Sequence, residues 1–405
     1  MSYKVVVIGH GYTSRLGIIR SLAEIGCDIT VIVMVFFGRF GRLIRFDGGK
    51  PIDCCSKYVN KILYCRAKSE KDLIHLLLEK CSDLSQKTVI IPDSDFSASV
   101  VDKYQEELKD FFLFPHINST PGAVEQWMDK LRQKKLAQEI GIPVAAGVVT
   151  HVSSQGFEIP KTIKYPCFTK PLITINGGKQ FLCKCKDETN LRRVLSEMGQ
   201  HFDADVLIEE YKQIDEEYAV LGFSDGQSVA IPAVIQFIAN SASHFGIARQ
   251  GIVMPINGFE AIIDSFKSFI QRIGFFGLFD IDFYKSDGVL FFGELNLRFG
   301  GSGYAVTKMG VNLPAMFVKA ISGDTQSFQE GFVSKKAIYV NERMCIDDWS
   351  FYHISESEFD RMMKTADIHF VYDNEDKGPQ RKLARYVRLQ RIKRVLRKVI
   401  KKLRH

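Results

Sequence analysis

The sequence predicts an α/β protein of two or three domains. Its 405 residues exceed what one hydrophobic core usually serves. Residues 4–8 form a short apolar run, a helical pattern follows from about 15 to 25, and a second apolar run covers 29–37, which together predict a β-α-β opening. Much later, residues 277–303 predict two strands joined by a turn at Ser286-Asp287-Gly288. An amphipathic helix is predicted after them, over residues 305–322. The chain therefore combines an opening α/β domain with a later β-hairpin.

The same alternation continues through the opening domain. Hydrophobic periodicity and capping signals predict a helix over 69–84, strands over 88–92 and 111–115, and a long helix from Ser119 to about Ile140. The strand over 88–92 runs into Asp93-Ser-Asp95. Parallel strands of an open sheet point their carboxyl ends at the ligand crevice, so Asp93 or Asp95 is a candidate to face substrate. A helix cap is the alternative for both.

A lysine-bearing strand and a glycine turn occupy the middle of the chain. Residues 165–171 predict a strand with Lys170 near its end, and Gly177, Gly178 and Lys179 follow in a short turn. Backbone N–H groups in a glycine turn form an anion-binding nest, and lysines add positive charge. The segment can therefore bind an anion. A hairpin with solvated lysines is the alternative.

The late hairpin carries polar residues at alternate positions. Asp282 lies on its first strand, and Glu294, Asn296 and Arg298 on its second. Side chains at i, i+2 and i+4 of a strand share one face, so these three project together. Two carboxylates and an amide on adjacent strands are oxygen ligands that suit Mg²⁺. The alternative is an ordinary hairpin with a wet face.

The pattern Asp-x11-Glu-x-Asn-x-Arg followed by Phe-Gly-Gly resembles the metal-binding end of the ATP-grasp ligases. The resemblance implies that Asp282, Glu294 and Asn296 ligate two Mg²⁺ ions, with Mn²⁺ as a substitute, and that these ions bridge the phosphates of ATP. It also implies that Arg298 holds the acyl-phosphate region.

Other segments match this family in the expected chain order. The resemblance gives Lys170 the α-phosphate, and gives the turn with Gly177, Gly178 and Lys179 the β- and γ-phosphates. The segment 206–220 resembles the adenine hinge, in which Glu209, Glu210, Tyr211 and Lys212 frame the adenine and Glu217 binds the ribose. Glu216 is the alternative for the ribose. Arg249 is the candidate for the γ-phosphate, with a surface arginine as the alternative.

The resemblance covers about residues 116–325 and implies a domain plan. A Rossmann-like pre-ATP-grasp domain spans 1–117, and an ATP-grasp domain of two α+β subdomains that clamp ATP spans 118–335. An extension over 336–380 and a basic amphipathic helix over 381–405 follow. The glycine spacings give no Walker A motif, since neither Gly49-Lys50 nor Gly178-Lys179 is followed by Ser or Thr.

The implied reaction joins a carboxylate to an amine. ATP would activate the carboxylate as an acyl phosphate, and the amine would displace phosphate, so that both substrates are small molecules or groups on a cell-envelope precursor or surface polymer. The layout of the first domain, with Ser56-Lys-Tyr58-Val and Ile91-Pro-Asp93-Ser-Asp95, more weakly resembles the D-aspartate ligase branch. A dipeptide ligase, a carboxylase and a non-catalytic nucleotide-binding protein remain as alternatives.

The positive charge of the chain is concentrated in its tail. There are 54 Lys and Arg against 47 Asp and Glu, but residues 381–404 hold twelve Lys and Arg and no acid. Leu389, Ile392, Leu396, Val399 and Leu403 recur at helical spacing and predict an apolar stripe. Such a helix suits an anionic membrane surface. A solvated or oligomerising helix, including a homo-oligomer contact, is the alternative, and nucleic acid is the less favoured partner.

The sequence also favours a cytoplasmic location. The nine cysteines have no metal-ligand spacing, which is typical of reduced thiols. The residues after Met1 lack the pattern of a signal peptide, and the most apolar window, 29–37, is too short to cross a bilayer. We therefore expect the protein in the cytoplasm, with the inner face of the membrane as a further site because of the tail.

Overall fold

Three β-sheets with helices packed between them account for most of the chain. The computed structural model describes residues 2–9, 13–35, 50–172, 181–244, 246–324 and 331–403, and describes side chains of the last helix as far as Val395. None of the helices in these parts of the chain is long and apolar enough to span a bilayer.

The opening domain alternates strands and helices. In chain order these are β1 Lys4–Gly9, α1 Thr13–Ala23, β2 Asp28–Val35, a 3₁₀ turn Asp53–Cys55, β3 Lys61–Arg66, α2 Glu70–Cys81, β4 Thr88–Pro92, α3 Asp95–Lys103, α4 Gln105–Leu108 and β5 Phe112–Leu113. The five strands pair in parallel in the order β3-β2-β1-β4-β5, the Rossmann-like arrangement that the sequence predicts. The strand order reverses between β1 and β4, and a ligand crevice opens at such a point.

The middle of the chain supplies a smaller antiparallel sheet. A short strand and two helices come first: β6 His116–Ile117, α5 Ala123–Trp127 and α6 Lys130–Glu139. The elements of the smaller sheet follow: β7 Gly147–Ser153, β8 Gly156–Phe157, β9 Cys167–Pro171, β10 Cys183–Cys185, α7 Glu188–Gly199 and β11 Ala204–Glu210. The strand order is β10-β9-β11-β7-β8, and α7 packs its buried leucines on one face of the sheet.

The remaining elements build the largest sheet. They are β12 Glu216–Asp225, β13 Val229–Ala230, β14 Val234–Asn240, β15 Ala248–Met254, α8 Glu260–Ile273, β16 Phe275–Ser286, β17 Val289–Asn296, α9 Gly303–Lys308, α10 Leu313–Ile321, β18 Ala337–Val340, α11 Glu342–Ser350, α12 Glu356–Thr365, β19 Ile368–His369 and α13 Lys377–Leu403. The main strand order is β17-β16-β12-β14-β15-β18-β19. The predicted extension over 336–380 thus adds two strands, β18 and β19, to this sheet.

Two predicted helices are each divided in two. The helix expected from Ser119 to Ile140 becomes α5 and α6, because the Asp129 side chain accepts the Leu131 and Arg132 N–H groups and starts a new helix. The helix expected over 305–322 becomes α9 and α10, because Asn312 caps the Ala315 N–H and Pro314 lies in the first turn. These single-helix predictions were wrong, since the caps outweigh the apolar periodicity.

The opening domain and the largest sheet share one hydrophobic core. Helix α1 packs against α9 and α10, and Gly17 lies so close to Tyr304 that a Cβ at this glycine would be 2.7 Å from the Tyr304 Cβ. Phe317 of α10 in turn packs on Phe223 of the sheet. This shared packing fixes the carboxyl ends of β1 and β4 beside the β16–β17 hairpin.

Candidate functional site

The β16–β17 hairpin places the predicted metal ligands side by side. In the antiparallel register Asp282 lies opposite Glu294, and Asp280 lies opposite Asn296, so the four side chains share one face. The turn at Asp287 and Gly288 has positive φ at both residues, which suits a tight hairpin. The alternate residues Leu295, Leu297 and Phe299 are buried.

Arg298 connects this polar face to the opening domain. Its Nε donates to Asp95 Oδ1 at 3.0 Å, and its Nη2 donates to Asn296 Oδ1 at 3.2 Å. Burial opposes the positive charge of Arg298, but Asp95 and Asp280 outweigh this and raise its pKa. Asp95 is the first residue of α3, directly after β4, so the crevice of the opening domain meets the hairpin at this ion pair.

Asp280 belongs to the same cluster, although the sequence reasoning gave it no role. Burial raises its pKa to about 6, Arg298 lowers it in part, and Glu294 and Asp95 raise it further. Burial also raises the pKa of Asp282 well above its ordinary value, and the nearby Asp280 and Glu294 add to the effect. The face thus holds more negative charge than its described neighbours balance.

The donor set fits a divalent cation. Oδ1 of Asp280 is buried and has no hydrogen-bond partner among the described residues. A cation would both satisfy this oxygen and offset the crowding of carboxylates. Within the described chain no group of three or more His, Cys, Asp or Glu side chains is close enough to hold a metal. The predicted set of Asp282, Glu294 and Asn296 therefore relies on two carboxylates and one amide.

Helix α6 covers one side of the hairpin with three polar residues. Lys130 Nζ lies 2.9 Å from Glu294 Oε1. Gln133 donates to the Leu295 carbonyl and accepts from the Leu295 N–H, both at 2.9 Å. Lys134 donates to the Ala145 carbonyl at 2.8 Å and pairs with Glu209. The helix thus brings two buried lysines to the carboxylates of both sheets.

The partly exposed Lys170 forms an ion pair with the buried Glu209 on the smaller sheet. Lys170 Nζ lies 2.7 Å from Glu209 Oε2, while Lys134 pairs with the other carboxylate oxygen. Burial would raise the pKa of Glu209, but Lys170 and Lys134 outweigh it and lower the pKa below its ordinary value. The two lysines thus favour the ionised form of Glu209, and its side chain holds the lysine that the resemblance assigns to the α-phosphate.

The predicted adenine hinge joins the smaller antiparallel sheet to the largest sheet. The Glu210 N–H donates to the Ala146 carbonyl at 2.8 Å, and the Tyr211 N–H donates to the Pro166 carbonyl at 3.0 Å. Lys212 pairs with Glu210 at 2.9 Å and lies over the ring of Phe291 on β17. The hinge segment is thereby fixed against the hairpin that carries the metal candidates.

Strand alternation separates Glu217 from Glu216. Glu217 lies opposite Tyr284 of β16, and Ala219 lies opposite Asp282, so Glu217 shares the face of the carboxylate cluster. Glu216 projects to the other face, where it accepts from Gln236 at 3.0 Å and pairs with Lys285. The geometry therefore favours Glu217 over Glu216 as the residue that faces a nucleotide.

Arg249 lies in a separate group of charges. Its Nη1 pairs with Asp348 at 3.1 Å and donates to the Asn240 carbonyl, and its Nη2 pairs with Glu358 at 3.0 Å. The structure thus connects it to α11 and α12 rather than to the hairpin carboxylates. Its γ-phosphate role stays a prediction that would require these pairs to open. Gly177, Gly178 and Lys179 lie outside the described residues.

Curated relatives match part of this chain. Over 213 residues it is 24% identical to the C-terminal section of the carbamoyl phosphate synthase large chain of Methanocaldococcus jannaschii, covering 51% of this chain and 34% of that protein. Over 263 residues it is 23% identical to the D-aspartate ligase of Enterococcus faecium, covering 61% of each. The chain thus spans a third to three fifths of these relatives. No protein-family model matches it.

Solved structures match more of the chain. N5-carboxyaminoimidazole synthetase of Staphylococcus aureus, complexed with ADP, superposes with a TM-score of 0.60 at 18% identity over 84% of this chain and 82% of that one. The biotin carboxylase domain of the Hydrogenobacter thermophilus 2-oxoglutarate carboxylase, with MgADP and bicarbonate, gives 0.62 at 17% identity over 84% and 74%. The L-amino acid ligase of Bacillus licheniformis gives 0.59 at 16% identity over 84% and 79%.

The chain has the ATP-grasp fold. The resemblance to the ATP-grasp ligases noted in the sequence is confirmed, and so is the predicted α/β fold class. Both sheets of an ATP-grasp unit are present, with the Lys170–Glu209 pair on one and the carboxylate cluster on the other.

Three charged residues of the candidate site were not predicted from the sequence. Asp280 had a signal, since it stands two residues before Asp282 on the same strand and must share its face. For Lys130 and Lys134 the sequence signal was weaker, namely that they recur with Gln133 at helical spacing. In the structure all three residues are buried, while Leu131 on the same helix is 45% exposed. Periodicity that counts only apolar residues does not detect such a buried polar face.

Proposed function

We propose that the protein is an ATP- and Mg²⁺-dependent ligase that joins a carboxylate to an amine and releases ADP and phosphate. The observation that carries the proposal is the shared face of Asp282, Glu294 and Asn296, with Arg298 beside it. The ATP-grasp fold and the two ligase relatives, D-aspartate ligase and L-amino acid ligase, support it.

Asp282, Glu294 and Asn296 would hold the metal, with Asp280 next to them. When bound, Mg²⁺ supplies charge neutralisation at the β- and γ-phosphates of ATP. Lys130, whose Nζ lies 2.9 Å from Glu294 Oε1, would direct that carboxylate along the hairpin. We propose two Mg²⁺ ions at this site, with Mn²⁺ as a substitute.

The chain's own residues position the two reacting groups. Lys170 would leave its pair with Glu209 to meet the α-phosphate, and Glu217 would accept hydrogen bonds from the ribose hydroxyls. Asp95 holds the guanidinium of Arg298 beside the hairpin, where it can stabilise the acyl phosphate formed when the substrate carboxylate attacks the γ-phosphate. The amine then attacks the acyl carbon, phosphate leaves and an amide remains.

The crevice of the opening domain is the proposed place for the second substrate. Asp93 and Asp95 follow β4 at the strand-order reversal, and Asp95 contacts Arg298 at the hairpin. We propose an amino acid as one substrate, on the strength of the D-aspartate ligase relative, and a cell-envelope precursor or surface polymer as the other.

A screen for ADP release tests the proposal. The full chain is incubated with ATP and Mg²⁺, and amino acids, bicarbonate and cell-envelope carboxylates are added in turn, with the product identified by mass spectrometry. Substrate-dependent ADP together with an amide product supports the ligase, whereas ADP release with bicarbonate alone identifies a carboxylase.

Two matched variants locate the site. Glu294→Gln should lower ADP release by about a hundredfold or more, roughly 3 kcal/mol of barrier, because it removes one metal carboxylate. Glu216→Gln makes the same change on the opposite face of the sheet and should leave the rate within about twofold. Equal rates for Glu294→Gln and the unmodified chain would contradict the site.

A further inference from the structure

Helix α13 is held to the protein along one face. Leu383 is fully buried and Gln390 is 5% exposed. The Arg394 guanidinium lies 4.6 Å from the centre of the Trp349 ring and 4.4 Å from that of Tyr352. Tyr352 also donates its hydroxyl to the Arg394 carbonyl at 2.6 Å. The orientation of the helix is therefore fixed as far as Arg394.

The opposite face of α13 exposes large aliphatic side chains. Leu389, Ile392 and Val395 are 56%, 59% and 61% exposed. Ile392 stands nine residues after Leu383, which places it about 180° around the helix from the buried side. In sequence the stripe continues with Leu396, Val399 and Leu403, whose side chains are outside the described residues. The described residues leave this stripe exposed as far as Val395.

Basic residues surround the stripe. The exposed ones among the described side chains of the helix are Arg381, Arg385, Arg388, Arg391 and Lys393. Residues 381–404 contain no Asp or Glu that would neutralise them. The outer face is thus apolar along its centre and strongly positive around it.

An exposed aromatic pair adjoins the helix. Phe351 is 51% exposed and Tyr352 is 42% exposed, and Tyr352 contacts the helix at Arg394. Aromatic rings with one apolar side and one polar end favour the boundary between lipid and water. We call the outer face of α13 together with Phe351 and Tyr352 the basic–apolar face.

We propose that the basic–apolar face docks on the surface of an anionic lipid bilayer, with α13 lying parallel to the membrane plane. Clustered Lys and Arg attract anionic headgroups, and the aliphatic stripe enters the boundary of the acyl chains. Nucleic acid would satisfy the charges but leave Leu389, Ile392 and Val395 in water. A second copy of the helix would bring two strongly positive faces together.

The proposed docking concerns only the outer face of α13 and its two aromatic neighbours. It does not depend on the ligase proposal, because the residues of the basic–apolar face contribute nothing to the hairpin site. Vesicle binding is measured without ATP, so its failure and the failure of the ligase proposal are separate results.

Co-sedimentation of the full chain with vesicles tests the docking. We expect binding to phosphatidylcholine vesicles that contain phosphatidylglycerol, weak binding to phosphatidylcholine alone, and weaker binding at high salt. Leu389→Ser, Ile392→Ser and Val395→Ser together should lower the partition coefficient by about tenfold for each side chain. Arg385→Gln and Arg388→Gln should lower it by about fivefold each.

Matched controls separate docking from folding and from other partners. Leu84→Ser removes a leucine that is 94% exposed on the opening domain and should leave binding unchanged. Each variant should keep the cooperative thermal unfolding transition of the unmodified chain, which shows that it is folded. Unchanged vesicle binding by the triple serine variant overturns the proposal. The proposal is also overturned if the unmodified chain forms a stable dimer that dissociates in the triple serine variant. It is likewise overturned if competing RNA, rather than the serine substitutions, is what abolishes vesicle binding.

Discussion

Replacing Asp280 by asparagine should stabilise the metal-free protein at neutral pH. Asp280 is 8% exposed, and the pKa of its carboxyl is raised to about 6 from the ordinary 3.8. Such a group favours the folded state while protonated. Its stabilising contribution is complete below pH 4 and is lost as the pH rises through about 6, because the ionised form is buried among Asp282 and Glu294. Asparagine has no proton to lose.

The size of the effect follows from the two pKa values. At 1.36 kcal/mol for each pH unit, the interval between 3.8 and about 6 corresponds to about 3 kcal/mol above pH 7. The same reasoning gives about half of that near pH 5 and almost none at pH 3. The attraction between Asp280 and Arg298, whose atoms lie 3.8 Å apart, already enters this balance.

Urea unfolding from pH 4 to pH 8 in the presence of a chelator measures the prediction. The free energy of unfolding of Asp280→Asn should exceed that of the unmodified chain by an amount that grows with pH. The exposed Asp264 on α8 provides a matched Asp→Asn control, expected to stay within about 0.5 kcal/mol at every pH. A difference for Asp280→Asn that is independent of pH would refute the reasoning.

Three further predictions concern the surroundings of the hairpin. Glu209→Gln should lower the free energy of unfolding by about 3 kcal/mol, because it leaves the buried Lys134 without its carboxylate. Urea unfolding measures this free energy, and a loss below about 1 kcal/mol would be inconsistent with a charged pair. Asp95→Asn should slow ADP release by about tenfold without weakening ADP binding, because Asp95 positions Arg298. The rate is measured by the release assay and the affinity for ADP by calorimetry. An equal loss in the rate and in the affinity would show a merely structural role for Asp95. The affinity for Mg²⁺ should rise as the pH increases through about 6, because the metal competes with the proton of Asp280. Calorimetry at several pH values measures this affinity. An affinity that does not change with pH would contradict the prediction.

The hairpin was predictable because a strand has a strict period of two. Once Asp282 and Glu294 are assigned to adjacent strands, the side chains that join them on one face are determined. The same rule assigns Glu217 to that face and Glu216 to the other, but only after the register between β12 and β16 is known. Register depends on pairing between segments distant in sequence, which no local pattern gives.

Helix boundaries and charge pairs were harder to predict. The caps at Asp129 and Asn312 are visible in the sequence, but apolar periodicity ran across both and suggested continuous helices. The partners of Arg249 come from α11 and α12, about a hundred residues later in the chain. Nothing local in the sequence indicates a pair of that separation.

The sequence by itself determined the α/β class, the ATP-grasp resemblance and the polar face of the hairpin, because each depends on residue types at short and fixed spacings. Only the tertiary structure decided which charges meet. It brought Lys130 to Glu294, Lys134 and Lys170 to Glu209, and Asp95 to Arg298. The reason is that burial makes each ionised group depend on a partner, and the partner is chosen by how sheets and helices pack rather than by proximity along the chain.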